Sequence, residues 1–277
     1  MTSAPTTYDD LQTAITGKYD NLPGQLQKFG RFALEHPDTV AMETVTYVAE
    51  KADVQPSTIV RFAKAFEFDG FSDLQRLFRA RLMKDTSSYR DRIQNLQSEG
   101  REGIASILDE FSGTGIEALD QLRRNTPPAK LTQAVEILRD ARDIHLLAQG
   151  RSYAVAQYLH YALSRLEIRC LLADGAGGML RHQIARVDPD DAVIAISFAP
   201  YTPAVVDLMS EVSDTGCKMI AITDSPLSPL VARSSVSFEI KNGSDQTFRT
   251  LVAPICLAQT LVVGLGQALS LNEKSLT

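Results

Sequence analysis

From residue 129 onward the chain alternates short apolar runs with segments of helical period, and this limits the possible folds more than any other feature. The runs are Ile144–Ala148, Arg169–Ala173, Ala192–Ser197, Lys218–Thr223 and Val236–Lys241. Helical segments lie between them near 152–166, 177–186, 202–216 and 226–233. Strands alternating with helices at this spacing give a parallel sheet with helices on both faces. Val193-Ile194-Ala195-Ile196 is a continuous apolar run, as a strand covered on both sides requires. The expected fold is an α/β three-layer sandwich around a five-stranded parallel sheet of flavodoxin-like order.

Upstream the pattern differs. Residues 8–82 read as all helix, broken at Asn21-Leu22-Pro23-Gly24, Glu35-His36-Pro37-Asp38 and Asp69-Gly70. Within them Val45, Val48 and Ala49 share one helical face, Asp53-Val54-Gln55 breaks the period, and Pro56 suits the first position of a new helix. On that helix Ile59, Phe62, Ala63 and Phe66 form an apolar face, with Ser57, Thr58, Arg61 and Lys64 on or near the opposite one. A packed helix followed by one presenting hydroxyls and cations is the grammar of a helix-turn-helix on DNA. An αα-hairpin with a solvated outer face has the same spacing. Arg76, Arg79, Arg81, Lys84, Arg90 and Arg92 follow, available to phosphate or to solvent.

The length of 277 residues fits two domains, and 44% hydrophobic with 22% charged residues is a globular composition. A net charge of −6 argues against a protein coated in nucleic acid, while leaving room for a cationic surface on one module. The three cysteines Cys170, Cys217 and Cys256 have neither zinc nor disulfide spacing and read as small buried hydrophobes in a reducing cytosol. The N-terminus has no basic and apolar leader pattern. The stretch 251–269 approaches membrane-span length, but Pro254, Gln259, Thr260 and Gln267 interrupt it, so it is read as a helix of the core or of a dimer interface. The expectation is a cytoplasmic protein without a membrane partner.

In an open parallel sheet, ligands bind beyond the carboxyl ends of the strands where strand order reverses. Here that point lies between the loops Gln149-Gly150-Arg151-Ser152-Tyr153 and Phe198-Ala199-Pro200-Tyr201-Thr202. The first offers a glycine, a hydroxyl and helix N-terminal amides, a combination that favours an anion. The second ends in Thr202 as a cap with Pro203 behind it.

Thr58, Val60, Arg61, Phe62, Lys64, Phe68, Gly70, Phe71, Asp73 and Leu74 together resemble the helix-turn-helix of RpiR-type bacterial regulators. Two positions depart from that pattern: Gln55 stands where the family has Ser, and Glu67 where it has Gly. Ala148-Gln149-Gly150-Arg151-Ser152 and the run Ile220–Val231 resemble the SIS (sugar isomerase) module that follows the helix-turn-helix in that family. Between them, Ser197 and Thr202 keep the family pattern, but Ala199 and Pro200 replace a Ser and a Gly. Alanine lacks the hydroxyl and proline the N–H that would reach a sugar phosphate. Arg151 carries a guanidinium that can compensate.

The resemblance implies a helix-turn-helix domain at 1–82, a linker or connecting helix at 83–128, and an SIS domain at 129–277. It implies a transcription regulator that contacts operator DNA through Gln55, Ser57, Thr58, Arg61 and Lys64. A small anionic, sugar-related effector would bind at Gly150, Arg151, Ser152, Tyr153, Ser197, Tyr201 and Thr202. The regulator would be a homodimer or a dimer of dimers, with 251–269 and Ile104–Leu122 as candidate contacts. A sugar-phosphate aldose–ketose isomerase with a helical appendage is the alternative. Against it, Asp174 and Glu239 lie near strand ends but in no recognisable motif, and His36, His145, His160 and His182 share no metal spacing. The sequence therefore points to no catalytic residue, no metal and no cofactor.

Overall fold

The structure is a computed structural model and describes residues 4–86, Ile93, 103–240 and 248–275. The chain divides into two compact units, Met1–Ile104 and Ala105–Thr277. Most of the polar stretch 83–103, including Arg90 and Arg92, lies outside the described residues.

The first unit is helical: α1 Tyr8–Lys18, α2 Gly24–Glu35, α3 Pro37–Met42, α4 Val45–Lys51, α5 Pro56–Ala65 and α6 Phe71–Thr86. Local chemistry sets the starts. Thr7 and Asp10 close a capping box on α1, each side chain accepting the other's backbone N–H at 3.1 Å. Pro37 and Pro56 open α3 and α5 from the first turn, where a missing N–H costs nothing. The core is aromatic, with the Phe29 ring edge-on to Phe62 at 4.9 Å between centroids. Gly30 allows that approach, since a Cβ there would meet the Phe62 ring at 3.0 Å.

The cations after the second helix divide by role. Gln75 donates to the carbonyls of Val40 and Glu43 at 2.9 and 2.8 Å, and Arg79 donates to that of Ala41 at 2.9 Å. These bonds satisfy carbonyls at the end of α3 that have no helical partner. Arg81 is buried and pairs with Asp38 at 2.9 Å. Arg79 and Arg81 thus hold the fold together, and Arg76 pairs with Asp73 on its own helix.

The second unit comprises α7 Ile104–Asn125, α8 Pro128–Asp140, β1 Ile144–Ala148, α9 Tyr153–Arg165, β2 Cys170–Ala173, α10 Leu180–Ile184, β3 Ala192–Ile196, α11 Pro203–Ser213, β4 Lys218–Thr223, β5 Val236–Glu239 and α12 Val252–Ser275. The five strands form one sheet in the order β2-β1-β3-β4-β5, every pair parallel. The strands β1 to β4 feed two cores, and β5 feeds one. Ile144, Leu146, Ile194, Ile196, Ile220 and Ile222 pack with α8, α9 and α12 on one face. Leu147, Val193, Ala195, Met219 and Ala221 pack with α10 and α11 on the other. The reversal of strand order falls between β1 and β3, as expected.

Two expected helices are corrected. The segment 226–233 is no α-helix: only a 3-10 turn at Val231–Arg233 follows two prolines, Pro226 and Pro229. The hydroxyls of Ser225 and Ser228 accept the amides of Leu227 and Leu230, an alternative to helical bonding. The segment 177–186 shortens to Leu180–Ile184, because Gly177 and Gly178 take positive φ.

α12 is long and apolar enough to cross a bilayer by length and composition. Ala253, Leu257, Ala258, Leu261 and Leu265 commit one face of it to the core of this unit. His145 is a satisfied core histidine: it is buried, with Nε2 3.2 Å from Asp191.

Candidate functional site

In the first unit, α5 buries Ile59, Phe62 and Ala63 and exposes Ser57, Arg61 and Lys64, which lie four and then three residues apart on one face. Thr58 departs from expectation. It is 8% exposed, because it sits one turn before Phe62 and shares its inward side. Val60 takes its place outside, at 38% exposure, as apolar surface between the polar groups. Gln55 is the N-cap of α5 and makes no side-chain cap bond, in keeping with its poor capping chemistry.

The helices α4 and α5 end in the same geometry. After α4, Val54 N–H donates to Ala49 O and Asp53 N–H to Glu50 O; after α5, Phe68 N–H donates to Ala63 O and Glu67 N–H to Lys64 O. These are Schellman closures, which place the residue after the cap in the left-handed region. Asp53 and Glu67 stand there with φ of 50° and 66°. The glycine expected in place of Glu67 is the residue such a position favours.

In the second unit the loops after β1, β3 and β4 meet at the carboxyl end of the sheet. Gly150 has φ 57° with open space where a Cβ would point, so its backbone conformation, not crowding, calls for glycine. Ser152 is buried just before α9 and makes no side-chain cap bond. The Tyr153 amide turns back to Gly150 O and Arg151 O in a 3-10 turn. Arg151 is exposed and donates to Arg249 O at 3.4 Å.

Ser197 is buried and its Oγ accepts the Thr202 N–H at 3.1 Å, closing the β3 loop on itself. Thr202 is the N-cap residue of α11, with Pro203 behind it, but its side chain makes no cap bond. Phe198 packs into the core instead of lining the loop surface. The Tyr201 hydroxyl donates to Asp224 Oδ1 at 2.9 Å, while Asp224 Oδ2 accepts from Ala199 N–H at 3.0 Å and Arg249 Nη1 at 3.2 Å.

Asp224 and Arg249 are thus bonded into the candidate site, and the sequence reading missed both. Asp224 is the first residue beyond β4, a position where the open-sheet rule directs attention. No motif marks Arg249.

The two acidic residues noted near strand ends are both engaged. Asp174 Oδ1 accepts from Gln183 Nε2 at 2.8 Å and Ala176 N–H at 2.9 Å, and these bonds hold its carboxyl below the usual range. Glu239 takes Lys130 at 3.1 Å and the Ser237 hydroxyl at 2.7 Å. His182 is exposed, and Gln183 beside it is the residue that reaches the β2 loop. Burial pushes the Cys170 thiol up to about 12 and also raises that of Cys217, so neither is a ready nucleophile.

Residues 10–88 match the family model of the rpiR-family helix-turn-helix domain, and residues 137–264 match that of the SIS domain. The chain thus carries an rpiR-family helix-turn-helix domain followed by an SIS domain.

Among curated relatives, the "Bifunctional protein glk" of Burkholderia mallei is 28% identical over 220 residues, 79% of this chain and 33% of that protein. The chain therefore spans about a third of the length of these relatives. The "Uncharacterized HTH-type transcriptional regulator YbbH" of Bacillus subtilis is 25% identical over 243 residues, 87% of this chain and 83% of its own length. The fold is also that of the Vibrio vulnificus NanR protein complexed with ManNAc-6P, with a TM-score of 0.59, 18% identity and coverage of 96% of this chain and 94% of NanR. The sugar isomerase domain of an RpiR transcription factor from Sphaerobacter thermophilus gives a TM-score of 0.54 at 25% identity, covering 58% of this chain and 89% of that one.

Proposed function

We propose that this chain is a cytoplasmic transcription regulator whose SIS domain binds a small anionic, sugar-related effector and thereby changes its affinity for operator DNA. The supporting observation is the two-sided character of α5: one face is buried in its own domain, and the other presents Ser57, Arg61 and Lys64. Hydroxyls and cations so placed reach base edges and phosphates in a major groove, and Gln55 and Val60 widen that surface.

The effector's anionic end sits by Ser152 at the start of α9, with Arg151 above it. Ser197, Thr202 and Tyr201 form the facing wall. The ManNAc-6P held by NanR supports a sugar phosphate as the ligand class to test first. The regulator works as a two-fold dimer, because one helix-turn-helix offers little affinity alone. Leu108 and Ile116 on α7 and Val263 on α12 are exposed apolar side chains on the two helices best placed to meet a second copy. The effector prefers one dimer arrangement and so changes the spacing of the two α5 helices. Two such dimers can pair further.

The chain is not an isomerase on this reading. An isomerase needs a base free to take a proton from carbon, and Asp174 and Glu239 are both tied to partners.

Fluorescence anisotropy of labelled DNA from the regions flanking the gene tests the function. Saturable binding that weakens steeply with salt is expected, with no turnover of hexose or pentose phosphates by the same preparation. Turnover without DNA binding would favour the isomerase.

A further inference from the structure

We propose that Asp224 is the specificity-determining residue of the effector site: its carboxylate occupies the donor cradle of the β3 loop, so that end of the site selects a hydroxyl or ammonium group of the ligand and rejects a phosphate or carboxylate. The proposal rests on the effector-site reading above and narrows its ligand class.

Three unlike donors converge on this one side chain. The backbone N–H of Ala199 and the guanidinium of Arg249 reach Oδ2 at 3.0 and 3.2 Å, and the Tyr201 phenol reaches Oδ1 at 2.9 Å. An amide, a phenol and a guanidinium aimed at one point are what a protein uses to hold an oxyanion. Here the oxyanion belongs to the chain itself. The Asp224 side chain is 12% exposed, and Arg249 balances its charge.

A ligand anion entering this cradle meets two obstacles. It must take the Ala199, Tyr201 and Arg249 donors from a carboxylate that already holds them. It also strips Asp224 of its counter-charge in a place largely shielded from water, which leaves two like charges side by side. A hydroxyl or ammonium group meets neither obstacle. An ionised carboxylate has about four acceptor positions, and donors among the described residues fill three, which leaves one for a donor from the ligand. The loss of the family Ser and Gly at Ala199 and Pro200 fits the same arrangement, since the loop has shed donors that a phosphate would need while its Ala199 amide serves Asp224.

Calorimetry of the full chain with inorganic phosphate, glucose 6-phosphate and glucosamine 6-phosphate tests this on the wild type, Asp224→Asn, Asp224→Ser and Ser152→Ala. Thermal unfolding of each variant confirms the fold, and Asp224→Ser guards against an asparagine amide that faces Arg249 badly. Removing the charge should open the Ala199, Tyr201 and Arg249 donors to inorganic phosphate and tighten its binding by about tenfold or more. It should also erase any preference for glucosamine 6-phosphate over glucose 6-phosphate. If the probes bind in a Ser152-dependent way and both Asp224 variants leave phosphate affinity unchanged or weaker, this proposal is overturned and the effector site stands. If no probe binds any of the proteins, the effector reading fails and this proposal goes with it.

Discussion

The N–H of Phe68 donates to the carbonyl of Ala63 at 3.0 Å, closing the end of α5 over a single left-handed residue, Glu67. The two bonded residues are both buried, so the closure fixes how the chain leaves the helix and enters α6. A side chain at a left-handed position costs about 1–2 kcal/mol, part of which glycine returns as chain entropy. Glu67→Gly should therefore stabilise the helix-turn-helix domain by about 0.5–1 kcal/mol. Hydrogen exchange of the α5 and α6 amides measures this. Glu67→Ala keeps the Cβ and should give no gain, and equal stability of the two variants would contradict the account.

Arg61 and Thr58 should separate cleanly. Arg61 is exposed, so Arg61→Ala should leave the fold unchanged and cost about 1–3 kcal/mol of DNA affinity, with relaxed specificity if it reads a base. Thr58 is buried, so a larger residue there should lower domain stability before it touches DNA. Full operator affinity in Arg61→Ala would remove this residue from the interface.

Much of the fold was legible in the chain. The central strands are covered on both faces and stood out as apolar runs, the edge strands β2 and β5 were placed by the alternation with helices, and the prolines marked helix starts. The connection 226–233 was not legible as a turn, because Leu227, Leu230 and Val231 repeat at helical spacing while the hydroxyls of Ser225 and Ser228 bond local amides. Thr58 was read as outward by residue type, but its place one turn before Phe62 turns it inward. Arg249 was invisible for a different reason. It comes to Asp224 from 25 positions away, a tertiary contact that no local pattern records.

Asp191 should govern acid stability of the second unit. It accepts from the Asp188 N–H at 2.9 Å, lies 3.2 Å from His145 and pairs with Arg142 at 3.0 Å. Burial alone would raise its carboxyl, but the Asp188 amide, His145 and the Arg142 charge outweigh it and lower it below the usual range. A lowered value means its contribution is complete above the unfolded carboxylate range near ~4 and is lost as pH falls through the folded value. Asp191→Asn should destabilise this unit at neutral pH by about 1–3 kcal/mol and flatten its acid limb. Hydrogen exchange of β1 and β3 amides across pH follows both effects, and an unchanged acid limb would contradict the assignment.

Dimer formation should depend on the exposed apolar side chains of α7 and α12. Light scattering of the wild type at micromolar concentration should give twice the chain mass or more, and Ile116→Arg with Val263→Arg should lower it. A wild-type monomer would remove the two-fold arrangement on which coupling depends.

The central claim is that one chain couples an SIS ligand to DNA. The direct measurement is DNA affinity of the full chain with and without each sugar phosphate and sugar acid that calorimetry shows to bind. At least one such ligand should shift DNA affinity by about 5–150-fold, corresponding to about 1–3 kcal/mol of coupling. In Ser152→Ala the shift should vanish while ligand-free DNA affinity stays the same. Ligands that saturate the SIS domain and leave DNA affinity untouched would contradict the account.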